Sequence, residues 1–515
     1  MSDARPDARP FPTLLFIALI ALIGVSLCSL GLTGLIGPDE PRYAAIGREM
    51  ATSGDWATPR LWGVPWFEKP ALLYWLVGAA HRLGLQAEVA ARLPVALCGA
   101  LFAAFFWWAL RKLDREPEAP LAAVLLAASA GWMAVGNVAA TDMPLAATFN
   151  AALLSALLWL KTERSRWAIA AGAFLGLALL AKGLVGAVLF LPVLWFARRR
   201  LKGLLLLSLA SAAVALPWYA AVTARYGMEF IRVFFIEHHF GRFARPDLQH
   251  VQPFWFYVPV LLGLLFPWTP LLALLRRSTF KAAPERIFAA VVLFGFVFFS
   301  ASTNKLPGYL LPLLPAVCAV LAHAIVQADA PKRTLACCGL LLALIPLSAA
   351  VLPEALRSGL RHVSWAGIPW LYCALAVPVA ASAYFLARRR HTAQAVALLG
   401  LLVSAGWLYV KLTALPAVDQ AASARPLWNR VRVQREDTCV ETLNRALRYG
   451  LNYYSITPLP GCSEAPKAYR IRQVGRQEVQ VVASEPPICH PRANRGGPGS
   501  HRFGRRPRAM PAQSP

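Results

Sequence analysis

Acidic residues are scarce in this chain: 26 Asp and Glu stand against 52 Lys and Arg, and charged residues of both signs make up only 15% of its 515 positions. With 57% hydrophobic residues beside them, so thin a supply of ionic groups excludes an ordinary soluble enzyme. No glycine-rich loop of the phosphate-cradling kind is present, which removes that route to nucleotide recognition. The nine cysteines lack metal-ligand spacing, and six of them lie in or beside apolar runs, where they serve as ordinary packing. No small-residue cleavage site follows the amino-terminal apolar run, so that run reads as a first membrane span and not as a removable signal peptide.

What the chain has in abundance is apolar sequence of bilayer-spanning length, with a mean hydropathy of +0.50. Length and breaker residues give about thirteen spans, near 11–36, 89–110, 119–136, 143–160, 167–181, 183–197, 203–223, 254–275, 286–301, 309–328, 334–352, 367–387 and 393–411. The expectation is an all-α polytopic membrane protein. Its formal charge of +26 does not point to nucleic acid, because the basic residues sit in short loops: 111–115, 161–166, 198–202, 276–281, 332–333 and 388–390. Each of these clusters follows an even-numbered span. The positive-inside rule then places them all in the cytoplasm and the tail, from about residue 412, outside. In an oxidising compartment Cys439 and Cys462 are expected to pair, with Cys489 as the other partner available.

The same topology gathers the unusual polar residues on the outer face. Asp39, Glu40, Arg42, Glu68 and Lys69 fall in the first outer loop, about 37–88, and Asn137 and Asp142 in the second. Lys182 falls in the third, Glu237, His238, His239, Arg242, Arg245 and His250 in the fourth, and Asn304, Lys305 and Tyr309 in the fifth. Ionisable groups beside hydrocarbon are costly, so their clustering marks a functional site. Plainer readings stand beside this one: Asp39 as a helix cap, Glu68 and Lys69 as a neutralised interfacial pair, Lys182 and Lys305 as snorkelling cations, and the tryptophans as an interface belt. Spacing of Tyr43, Ile46 and Met50 predicts a surface-lying helix over 41–50, with Arg48 and Glu49 solvated on its polar face.

Several segments occur in family order on the outer loops: DEPRYAAIGREMATSGDWATPRLWGVPWFEKPALLYW at 39–75, ATDMPL at 140–145, AKG at 181–183, EHHFGRF at 237–243, HVQPFWFYVP at 250–259 and NKLPGYLLPLLP at 304–315. Over about 1–415 the chain resembles the aminoarabinose transferase branch of the protein-mannosyltransferase-like glycosyltransferases. That resemblance implies a GT-C fold with outer juxtamembrane helices, a polyprenyl-phosphate-sugar donor and an inverting transfer. By the same resemblance Asp39 and Asp142 are the catalytic aspartates, and Lys69, Arg242 and Tyr309 contact the donor phosphate. Glu40, Arg42, Lys182 and Lys305 complete the substrate-binding set, and Glu68 with His238 or His239 corresponds to a family metal site for zinc, magnesium or manganese. Trp66 stands where the family pattern expects a tyrosine.

The domain reading is a membrane glycosyltransferase unit over 1–411, a small periplasmic unit over 412–485 and a basic Pro/Gly-rich disordered tail over 486–515. The expected function is transfer of a sugar, 4-amino-4-deoxy-L-arabinose by the resemblance, from undecaprenyl phosphate to lipid A or another envelope acceptor, by a monomer in the bacterial inner membrane. Alternatives are a protein O-mannosyltransferase-like enzyme acting on Ser/Thr and a lipid or sugar transporter. A transporter would place its charges at the midplane and show an internal repeat, and neither is visible in the sequence.

Overall fold

Breaker residues and remote hydrogen-bond donors decide where the apolar runs become helices. The computed structural model describes residues 13–241, 251–359, 363, 367–475 and 478–483. Cys489 and the segment 486–515 lie outside these residues. Helix α1 spans Thr13–Leu27 and stops well short of the expected 36. Its last turn is closed by the buried Lys411, whose Nζ donates to the carbonyls of Val25 and Cys28 at 2.8 and 2.6 Å. A cation there meets the negative end of the helix and satisfies carbonyls that have no helical partner.

In the first outer loop α2 (Asp39–Ser53) and α3 (Leu72–Arg82) pack together, joined through a hairpin of β1 (Arg60–Leu61) and β2 (Val64–Pro65). Tyr43, Ile46 and Met50 form the buried face of α2, as their helical spacing requires. Arg48 and Glu49, expected to be solvated, are half-exposed and engaged. Arg48 lies 4.4 Å from the Tyr453 ring centroid, and Glu49 accepts a 2.8 Å bond from the Gly63 amide.

Helix α4 (Ala87–Lys112) is long and apolar. The run expected as one span at 119–136 divides into α5 (Glu118–Ala127) and α6 (Ala130–Val135), because the backbone turns extended at Ser129. Helices α7 (Asp142–Thr162) and α8 (Ser165–Lys182) form an antiparallel pair, and Gly183, at φ +71°, ends α8 before the short α9 (Val185–Ala197). Helix α10 (Leu201–Ile231) packs on α8 and runs on into a π-helix, Arg232–Gly241, after a break at Gly227.

Among the described residues nine helices are long and apolar enough to cross a membrane. Four shorter apolar helices, Thr13–Leu27, Glu118–Ala127, Val185–Ala197 and Phe254–Leu264, stand at the remaining expected positions. Length and composition thus return nine full spans where the sequence predicts about thirteen. The bundle is nonetheless layered as a membrane protein should be. Helix α7 and the segment Pro307–Gln327 are enclosed by protein, whereas Trp370–Arg388 turns Leu371, Leu375, Val377 and Phe385 outward.

The C-terminal unit folds around a three-stranded sheet, β3 (Thr438–Thr442), β4 (Tyr469–Val474) and β5 (Glu478–Ala483), with β3 parallel and β5 antiparallel to β4. Helix Arg445–Ser455 starts at Asn444, whose side chain caps the Leu447 amide at 3.0 Å. Val440, Leu451, Leu459 and Ile471 make the small core. A disulfide joins Cys439 and Cys462, with Cα atoms 5.0 Å apart.

This unit is bound to the first loop at several points. Arg425 donates to the carbonyls of Gly31 and Leu32 while pairing with Asp419 at 2.8 Å. Asp419 in turn accepts from the Gly34 amide at 2.6 Å, and Tyr454 Oη donates to Glu88 at 2.8 Å. Gly34 cannot be replaced cheaply, since a Cβ there would come within 2.7 Å of Ser423 and Tyr454 oxygens. Because the disulfide closes a 23-residue separation in so small a unit, Cys439→Ser should cost that unit about 2–4 kcal/mol. Limited proteolysis of the variant should cut first within 412–483, and non-reducing mass spectrometry of the parent should recover the Cys439–Cys462 bridge.

Candidate active site

The site is built on a fully satisfied buried pair. Glu40, 2% exposed, receives Nε and Nη2 of Arg92 at 2.9 and 2.7 Å. Its two oxygens also accept the amides of Ile36 and Ala139 at 2.8 and 2.7 Å. Arg92 spends its other donors on the carbonyls of Leu30, Thr33 and Gly34. One carboxylate therefore joins the first loop to the loop that leads into Asp142. The sequence expectation that Glu40 binds substrate is corrected: it faces inward and every oxygen is engaged.

Asp39, one residue earlier, opens α2 and faces outward with its side chain half exposed. Pro38 occupies the capping position and no side chain caps the helix, so the plain capping reading of Asp39 does not hold. Its carboxylate instead pairs with Arg42 one turn along the helix. Arg42 reaches on to Glu68 at 2.9 Å, and Glu68 to Lys69 at 3.2 Å, giving a chain of alternating charge along the loop. The guanidinium of Arg42 lies 5.4, 5.2 and 5.7 Å from the ring centroids of Tyr43, Trp66 and Tyr449. Burial alone would lower the Arg42 pKa, yet the Glu68 carboxylate, with Tyr43 and Asp39 behind it, holds it raised. Arg42 is a permanent charge. Burial, reinforced by Glu68, likewise keeps the hydroxyls of Tyr43 and Tyr74 protonated.

A second acid–base pair faces this loop. Asp142 opens α7 and Lys182 closes α8, and since the two helices are antiparallel neighbours, these ends meet: Lys182 Nζ lies 2.7 Å from Asp142 Oδ1. The ammonium also sits 4.6 Å from the centroid of Tyr309. Gly308 leaves room for Asp142, whose oxygen would lie 2.9 Å from a Cβ there. Between the two clusters opens a cavity of about 110 Å³, lined by the polar side chains of Glu68, Lys69, Lys182, His238 and Tyr309 and by the apolar ones of Val185, Phe298 and Phe299.

Two expectations change in character. Lys305 donates to the carbonyls of Gln252 and Ser302 at 3.0 and 2.5 Å, so it pins loop backbone and does not border the cavity. Among the described residues no three His, Cys, Asp or Glu side chains converge as metal ligands. Glu68 carries two cations and lines the cavity together with His238. Arg242 and the side chain of His239 lie outside the described residues. Residues that the sequence reading passed over are Arg92 and Tyr449. A lone arginine in the apolar run 89–110 was a legible signal for the first; nothing local marks the second.

Acidic residues at helix starts and lysines lie in and beside this cavity, and residues 13–234 of the chain that carries it match the family described as dolichyl-phosphate-mannose-protein mannosyltransferase. The chain is 31% identical to undecaprenyl phosphate-alpha-4-amino-4-deoxy-L-arabinose arabinosyl transferase of Pseudomonas aeruginosa strain UCBPP-PA14, over 86% of this chain and 88% of that protein. It belongs to the aminoarabinose transferase family. Its fold superposes on crystalline ArnT from Cupriavidus metallidurans bound to undecaprenyl phosphate with a TM-score of 0.72, at 27% identity, over 87% of this chain and 84% of that one. Arabinosyltransferase EmbB from Mycobacterium smegmatis shares the fold at a TM-score of 0.50 and 14% identity, over 88% of this chain and 44% of its own.

Breaking a buried ion pair by removing one charge costs about 3–5 kcal/mol, because the other is left uncompensated. Glu40→Gln should therefore lower thermal stability in detergent by roughly that amount, and Arg92→Met likewise. The double variant should lose less than the sum of the two, as a double-mutant cycle measures.

Proposed function

We propose that this protein moves 4-amino-4-deoxy-L-arabinose from undecaprenyl phosphate to a cell-envelope acceptor, lipid A in particular, on the periplasmic face of the inner membrane. The observation that carries this reading is the cavity itself. Lys69 and Lys182 line it together with Val185, Phe298 and Phe299, so that cations and hydrocarbon border the same space. That pairing suits a phosphate that carries an isoprenoid chain. The Pseudomonas aeruginosa relative is named for a donor of this kind, and the related crystal structure holds undecaprenyl phosphate.

In the transfer an acceptor oxygen attacks the anomeric carbon as the bond from that carbon to the donor phosphate oxygen breaks, its electron pair leaving with the phosphate. Charge builds on the departing group, and fixed cations in a water-poor cavity stabilise it where it appears. Lys69, Lys182 and Tyr309 are assigned to that group. Asp39, exposed at the start of α2, takes the proton when the acceptor is a hydroxyl. When the acceptor is a phosphate monoester the nucleophile is already anionic, and Asp39 orients it and supports the positive charge that develops on the sugar ring. Asp142 holds Lys182 in register with the phosphate. A single displacement inverts the anomeric configuration.

Orientation in the membrane is supported by the helix ends. Asp142 and Lys182 mark one end of the α7–α8 pair, and the opposite ends carry the basic turns, where Lys161 pairs with Asp114 and Arg200 with Glu163. The positive-inside rule puts that second end in the cytoplasm and the site outside. The C-terminal unit lies on the side of the first loop, so a reporter fused after residue 450 should be periplasmic; cytoplasmic signal would reverse the assignment.

Asp39→Asn preserves shape and removes charge, and should lower turnover by roughly a hundredfold or more at normal protein levels. Lys69→Ala and Lys182→Ala should also weaken retention of undecaprenyl phosphate, by about tenfold or more each. The measurements are transfer from the lipid-linked sugar in detergent and direct binding of the lipid phosphate. Full turnover in Asp39→Asn, or parental lipid binding in both lysine variants, would refute the assignment.

A further inference from the structure

We infer that the C-terminal unit supplies a residue to the active site: Tyr449 is a positioning residue for the Asp39–Arg42–Glu68 chain. The inference rests on the assignment of that chain to the transfer reaction.

Arg42 is 4% exposed and carries two carboxylates at once. Three rings surround its guanidinium. Tyr43 and Trp66 come from the same stretch of sequence, but Tyr449, 5.7 Å away, comes from helix Arg445–Ser455 of the C-terminal unit. A ring face over a guanidinium attracts it and keeps water from its flat side, and the attraction grows as the cation is desolvated. Without that ring the outer side of Arg42 opens to water, and a hydrated guanidinium has no reason to keep one rotamer between Asp39 and Glu68.

Two further observations favour a fitted part over a chance contact. Trp62 stacks on Tyr449 at 5.5 Å with the planes 27° apart, and it does so from a backbone at φ +53°, a conformation that a bulky side chain rarely adopts. The strained turn of the β1–β2 hairpin thus presents its indole to Tyr449. The helix carrying Tyr449 is in turn held in place, with Tyr453 Oη donating to the Ala87 carbonyl at 3.2 Å, Tyr454 Oη donating to Glu88 at 2.8 Å and Arg48 lying over the Tyr453 ring. The ring is delivered on a rigid mount. Arg445, itself exposed, covers Tyr449 at 5.4 Å, so the ring lies against cations of both units.

The test is turnover of the full-length protein in detergent, with undecaprenyl phosphate-4-amino-4-deoxy-L-arabinose as donor and lipid A as acceptor, for Tyr449→Phe, Tyr449→Leu and Tyr449→Met. Phe keeps the ring, Met fills much of its volume without one, and the Cys439–Cys462 disulfide reports folding of the unit in each. We expect Leu and Met to lower kcat by roughly tenfold with the donor KM within about twofold of the parent, and Phe to restore the parental kcat. Parental kcat in Leu and Met overturns the inference. So does a Phe variant as slow as Leu, because the ring face would then not be the determinant. Loss of the folded unit in both Leu and Met also overturns it, since Tyr449 would then be a packing element. An Asp39→Asn arm run alongside separates the two levels: if that variant turns over normally, the assignment of the site has failed, and not merely the role of Tyr449.

Discussion

The bidentate contact between Arg92 and Glu40 is the interaction on which the outer half of the molecule depends. An arginine and a glutamate buried beside membrane helices are expensive to desolvate, and the cost is offset only when every donor and acceptor is used. Here they are: three loop carbonyls and two loop amides complete the pair. The loop from Leu30 to Glu40 has little regular structure of its own, so this shared core of charge sets its path. Asp39 takes its outward position because its neighbour Glu40 is fixed inward, and the 137–141 loop is held at the same point. A helix-forming sequence from Asp39 onward then needs only to start there.

Much of the architecture was legible in the sequence, and the reasons are local. Spans announce themselves by apolar length, and α2 by the spacing of Tyr43, Ile46 and Met50. The charged groups in and beside the cavity, Lys182 with its partner Asp142, and Glu68 with Lys69, were found because charge near hydrocarbon needs an explanation. What was not legible depends on distant partners. The end of α1 is set by Lys411, the inward turn of Glu40 by Arg92, and the half-burial of Arg48 by Tyr453. Reading Arg48 as solvated followed correctly from its own helix and failed because another domain lands on it. The same holds for Lys305, whose isolation in apolar sequence suggested ligand binding but whose ammonium satisfies loop carbonyls.

The two acid–base clusters divide the work by how they are held. Asp142 and Lys182 stand on the ends of rigid neighbouring helices, so their spacing is a property of helix packing. Asp39, Arg42 and Glu68 stand on a loop and one surface helix, and their spacing is a property of aromatic enclosure and buried charge. The candidate site is thus made from one rigid half and one assembled half, and of the assembled half only Asp39 is half exposed, while Arg42, Glu68 and Lys69 are buried.

That assembled half has a consequence for biogenesis. The carbonyls of Gly31 and Leu32 and the amide of Gly34 are taken by Arg425 and Asp419, groups between 385 and 394 positions later in the chain. As the polypeptide is synthesised, the first loop emerges long before its backbone partners. Its path therefore stays unset until the last quarter of the chain has been made. Order of synthesis itself acts as a timer, and a product truncated before Asp419 lacks the groups that fix this loop.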